Sequence, residues 1–69
     1  LTKIIYLADY IEPNRQFPGV DYLREIAFKD LNKAVILAID NTIKYILKRG
    51  QLIHPNTIDA RNYILLYEL

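Results

Sequence analysis

The stretch Leu7-Ala8-Asp9-Tyr10-Ile11-Glu12-Pro13-Asn14-Arg15 sets a carboxylate in an apolar helical run, then an arginine six residues later, beyond a proline stop. A buried acid costs several kcal/mol unless it is paired, protonated or bound to a metal. An arginine just past a helix end suits a phosphate or carboxylate, because its planar fork donates two parallel hydrogen bonds. The pair reads as a metal ligand at Asp9 and a phosphate clamp at Arg15. The plainer reading of Asp9 is an exposed helix acid, or one paired with Lys3 or Arg15. Arg15, taken alone, is equally a solvated loop residue. Glu12 is either a second acid near a metal or an acceptor for Arg15, and the second role is expected.

Other polar positions carry weaker chemistry. Asp40-Asn41-Thr42 interrupts an apolar helical run, where such residues compete for backbone hydrogen bonds. Structural hydrogen bonding to a neighbouring loop is the expected reason for them. His54, just before a proline, reads as a cap or packing residue sooner than a catalyst. Arg61 and Asn62 would hold phosphate or base if their helix borders the cleft, and otherwise tie that helix to the preceding connector. Tyrosines at 6, 10, 22, 45, 63 and 67 read as core and rim residues with a wet hydroxyl. One of them could stack on a base, but nothing in the pattern selects which.

Four helical segments must position these groups. In the first, Leu1, Ile4, Ile5, Ala8 and Ile11 recur at helical spacing and predict one inward stripe, with Asp9 at its edge. Pro13 ends that helix. Pro18-Gly19 fits the centre of a type II turn, and Asp21 suits the N-cap of a short helix turning Leu23, Ile26 and Ala27 inward. Asp30 is expected to cap a long helix from about Leu31 to Arg49, closed by Gly50. Within it Ala34, Val35, Ile36, Leu37, Ala38 and Ile39 are apolar on every side, as a central helix requires. A connector, Gln51 to His54, precedes a last helix that starts at Pro55, with His54 or Asn56 as its cap. Sustained alternation is missing, so the class is all-α.

Sixty-nine residues allow at most one small domain, and no cysteine is present for disulfides or thiolate metal sites. One histidine cannot build a zinc site, so any metal needs ligands from elsewhere. Apolar residues make up 52% of the chain, high for a free-standing domain. With no methionine and an opening inside a helical pattern, the chain reads as a piece of a longer protein whose other part covers the surplus. The net charge of +1, with acids and bases interspersed, excludes a broad nucleic-acid footprint. No apolar run approaches a membrane span and no signal-peptide pattern appears, so the expectation is a soluble chain of the cytoplasm.

The words themselves resemble one family. Lys3-Ile-Ile-Tyr-Leu-Ala-Asp-Tyr-Ile-Glu-Pro-Asn-Arg15, Phe17-Pro-Gly-Val20, Asp40-Asn-Thr-Ile43, Arg49-Gly50 with Ile53-His-Pro55, and Ala60-Arg-Asn-Tyr63 look like the bacterial HD-domain hydrolases described as symmetrical bis(5′-nucleosyl)-tetraphosphatases. The likeness runs over nearly the whole chain, in order, and covers only the family's C-terminal part. It implies a helical bundle, residues 1–69 being the C-terminal portion of a single HD-type domain. It implies symmetric cleavage of dinucleoside tetraphosphates to nucleoside diphosphates at a metal pair of the divalent or mixed-valence kind, expected to be iron. By resemblance, Asp9 corresponds to the final metal-ligating aspartate and Arg15 to a phosphate contact, with His54, Arg61 and Asn62 as weaker carry-overs to the pocket wall. The family's upstream histidine and His-Asp doublet are absent from these residues. The partners implied are a nucleotide substrate and the upstream part of the same protein, with a homodimer left open and neither nucleic-acid polymer nor membrane expected. These residues alone are expected to be inactive and only marginally folded. The alternatives are a helical interaction module docking through its greasy third helix, and a nucleotide-binding regulatory module without catalysis.

Overall fold

The computed structural model describes residues 3–69 and arranges them as α1 (Lys3–Tyr10), α2 (Val20–Lys29), α3 (Leu31–Lys48) and α4 (Pro55–Tyr67). Among the described residues there is no strand, and the all-α expectation holds. Leu1, assigned above to the first helix's stripe, lies outside the described residues.

Local chemistry sets most of the boundaries. The last α1-type bond, from the Ile11 amide to the Leu7 carbonyl at 3.0 Å, closes two residues before Pro13. Phe17 to Val20 is the type II turn expected, with Gly19 at φ 87°, ψ 0° and the Val20 amide donating to the Phe17 carbonyl at 3.1 Å. Gly19, and not Asp21, is the N-cap of α2, because its carbonyl accepts the first helical bond, from the Leu23 amide at 3.0 Å. Asp21 sits in the first turn of the helix, where its carboxylate meets Arg24. Asp30 caps α3 as expected, accepting from the Lys33 amide at 3.1 Å. The other end of α3 is a Schellman motif: Gln51 donates to the Ile46 carbonyl and Gly50, at φ 67°, to that of Leu47, both at 3.1 Å.

Helix α3 is the hub and packs on α1, α2 and α4. It buries Ala34, Val35, Ala38 and Ile39, and receives Leu7 from α1, Leu23 from α2 and Ile64 from α4. Ala34 and Ala38 have no exposed surface, so the neighbouring helices approach the α3 backbone closely. Leu23, the largest fully buried side chain, contributes about 1.5–3 kcal/mol relative to exposure. The first half of α3 is enclosed by the other helices, whereas Tyr45 and Leu47 toward its C-terminal end stay largely exposed. Far ends of the chain meet in one polar cluster: the Lys3 ammonium donates to Asn32 Oδ1 at 2.7 Å and Glu68 Oε2 at 2.5 Å, and the Asn32 amide to the Glu68 carbonyl at 3.0 Å.

One face assignment is corrected. Of the expected stripe only Ile11 packs against the core; Ile4, Ile5 and Ala8 are not on the inward side of α1, since Ile4 is 65% and Ile5 49% exposed and Ala8 is also exposed. The helix turns Leu7 inward instead, flanked by Tyr6, Tyr10 and Ile11. Apolar residues occupy most of the α1 circumference, so periodicity alone could not choose, and packing against α3 selected the side with the rings. Phe28 and Leu52 are almost fully exposed as well, which leaves large apolar side chains uncovered on several sides.

Candidate functional site

Asp9 shares the uncovered side of α1 with Ile4, Ile5 and Ala8, and it is exposed, not buried as its apolar setting suggested. Neither ion pair proposed for it forms: Lys3 binds Glu68, and the Asp9 carboxylate makes no hydrogen bond or ion pair among the described residues. No group of three or more metal-ligating side chains occurs among the described residues, so Asp9 is a single free donor on a well-defined helix.

Arg15 follows in a tight turn, its amide donating to the Glu12 carbonyl at 2.9 Å. The expected Glu12–Arg15 contact is therefore between backbones, and no ion pair joins their side chains. The Arg15 guanidinium lies 6.0 Å from the centre of the Tyr10 ring, within range of a cation–π attraction. It has no carboxylate partner among the described residues and lines a cavity of about 900 Å³ with Tyr6, Tyr10, Phe17, Asn41 and Tyr45. Tyr10 meets Phe17 edge-on at 5.1 Å, while Tyr6 and Tyr10 lie nearly parallel at 6.3 Å.

The turn that carries Arg15 hangs on a residue that the motif reading missed. Arg24 of α2 donates from Nε to the Ile11 carbonyl at 3.0 Å, and from one terminal nitrogen to the carbonyls of Glu12 and Arg15, both at 2.9 Å. Its other terminal nitrogen reaches Asp21 at 3.3 Å. One guanidinium thus satisfies carbonyls left open at the end of α1 and fixes the loop. A signal did exist: Val20, Leu23, Arg24 and Ala27 fall at the spacing of one inward stripe, and a long polar side chain there must find partners.

The remaining candidates are elsewhere. The Arg61 Nε donates to Asp40 Oδ1 at 2.5 Å, and this hydrogen bond, then the carboxylate's charge, raises the Arg61 guanidinium above its already high range. Asp40 is thereby explained by a helix-to-helix tie, not the loop contact expected. Thr42 donates back to the Ala38 carbonyl at 2.9 Å and lies 3.4 Å from the Tyr6 hydroxyl. Arg61 and Asn62 line a separate groove with Asp40, Ile43, Lys44 and Ile58, away from Arg15. His54 is the N-cap of α4, its Nδ1 accepting from the Asn56 amide at 3.1 Å.

Known proteins bear on this geometry. No family model matches the chain. It is 56% identical over 66 residues to a Halalkalibacterium halodurans protein named bis(5'-nucleosyl)-tetraphosphatase, symmetrical, covering 96% of the chain and 35% of that relative. Bacillus subtilis and Staphylococcus aureus proteins of the same name are 49% and 36% identical, over 94% and 88% of the chain and 35% and 32% of the relatives. A solved structure from Clostridium acetobutylicum, described as a predicted HD superfamily hydrolase involved in NAD metabolism, superposes with a TM-score of 0.91. It is 56% identical and covers 96% of this chain and 35% of the other. The chain spans about a third of the length of the curated relatives it matches. Its likeness to that family stands, and its four helices match a C-terminal fragment of an HD fold.

Proposed function

We propose that residues 1–69 are the C-terminal portion of a single HD-type domain, in a metal-dependent phosphohydrolase that splits dinucleoside tetraphosphates symmetrically. Water attacks one of the two central phosphorus atoms, the bridging oxygen leaves with the other, and two nucleoside diphosphates result. The observation carrying this reading is 56% identity across 96% of the chain to a relative bearing that activity's name. Geometry is compatible with it at two points: a carboxylate and a guanidinium, six positions apart, make no ion pair among the described residues, and neither does Glu12 between them.

In this reading Asp9 contributes one oxygen ligand to a metal pair, taken to be iron, and other parts of the protein supply the rest. A bound metal pair would supply Lewis acidity toward a phosphoryl oxygen and a water of lowered pKa. Arg15 holds phosphate oxygens and offsets charge that accumulates on them during cleavage. Arg24 keeps the Arg15 turn in place. His54 serves as a cap and Arg61 as a helix tie, and neither they nor Asn62 line the cavity beside Arg15.

Asp9→Asn in the complete protein tests the assignment. Bound metal and tetraphosphatase turnover should both fall, turnover by at least about a hundredfold. Full metal content with full activity in that variant would remove Asp9 from the site.

A further inference from the structure

We infer that the cavity between the end of α1, the 11–18 loop and α3 is a nucleobase subsite, with Tyr10, Phe17 and Tyr45 as its aromatic walls and the amides of Asn41 and Gln16 as its polar lining. The inference rests on the function proposed above and adds where one base of the nucleotide sits.

Four observations converge there. The chain has six tyrosines and two phenylalanines, and four of these rings, Tyr6, Tyr10, Phe17 and Tyr45, line this one cavity. The core does not use them up: Tyr45 is 59% exposed, and Tyr6, Tyr10 and Phe17, though packed against the core, are only half-buried. A base stacks on an aromatic face without regard to its identity, which suits rings kept at a cavity wall. Second, the volume of about 900 Å³ lies within the range of small-molecule sites.

Third, the amides of Asn41 and Gln16 line the cavity and make no side-chain hydrogen bond among the described residues. An amide offers one acceptor and two donors, the pattern needed to meet a base edge. Thr42 is different, since its hydroxyl is committed to the Ala38 carbonyl. Fourth, the unpaired Arg15 guanidinium stands against the Tyr10 ring at the same wall. A cation beside an aromatic slot is the arrangement that a phosphate joined to a base would meet. The groove of Arg61 and Asn62 has neither feature: it holds no aromatic ring, and its arginine is neutralised by Asp40.

The test compares ADP and inorganic pyrophosphate as probes of the metal-loaded complete protein, by titration calorimetry. Tyr45→Leu keeps bulk but removes the π face and should weaken ADP about tenfold, leaving pyrophosphate unchanged. Tyr45→Phe should bind both probes as the native protein does. Arg15→Ala should weaken both. ADP affinity unchanged in Tyr45→Leu, or an equal loss for both probes, would overturn the base subsite while the Arg15 result upholds the phosphate reading. A native protein that binds neither probe and leaves dinucleoside tetraphosphates intact would overturn both.

Discussion

Two arginines of this chain, one after α1 and one within α4, occupy opposite situations. Arg61 is bonded to Asp40 and carries almost no free charge into its groove. Arg15 has an aromatic ring beside it and a cavity before it, while its backbone is pinned by Arg24. The contrast teaches that a cation's use depends on who neutralises it. Asp40 makes Arg61 a tie between helices; no carboxylate among the described residues pairs with Arg15, which leaves its charge for a ligand. The Arg61 pair also has a simple pH behaviour. Its folded pKa is raised, so its stabilisation is complete below the unfolded value and is lost only as pH climbs through the folded one, beyond ordinary conditions.

The largest effect should come from exchanging the two roles. Arg15→Ala in the complete protein is expected to lower kcat/KM for dinucleoside tetraphosphate about a hundredfold. Arg61→Gln should lower the urea midpoint slightly and leave kcat/KM within about twofold, as expected for an exposed tie. Equal kinetic losses in both variants would break the contrast.

Next comes the support beneath Arg15. Arg24→Ala removes three carbonyl bonds at once and should cost about 2 kcal/mol in urea denaturation, with a parallel loss of pyrophosphate affinity. Unchanged pyrophosphate binding would mean that the loop needs no clamp. The smallest effect concerns the loop's far end. A Cβ at Gly19 meets nothing within 4 Å, so Gly19→Ala isolates the strain of φ +87°, about 1 kcal/mol of stability. A neutral result by thermal denaturation would show that the turn relaxes and does not hold the loop's register.

What the sequence made legible was local. The Pro18-Gly19 turn, the Asp30 cap and the Gly50 stop each involve groups within five residues, and each leaves a residue-type signature. The central position of α3 was equally readable, because a run without a polar face can only be enclosed. The inward side of α1 was not, since Leu7 and the tyrosines compete with Ile4, Ile5 and Ala8 on a helix greasy almost all round. Contacts far apart in the chain, such as Lys3 with Glu68, Arg24 with Ile11 and Asp40 with Arg61, have no spacing rule to reveal them. The candidate site shares this division: Asp9 and Arg15 stood out by type, whereas the aromatic slot emerged only once α1 and α3 lay side by side.

The bare front of α1 has a thermodynamic consequence. Any cover that sheltered Ile4, Ile5 and Ala8 would also take water from the Asp9 carboxylate on the same side, and dehydrating a lone anion is unfavourable. Such a cover would have to bring a positive group to Asp9 or leave it protonated. If that group were the metal proposed above, covering α1 and taking up the cation would be linked equilibria, and a chelator would loosen the joint as well as lower activity.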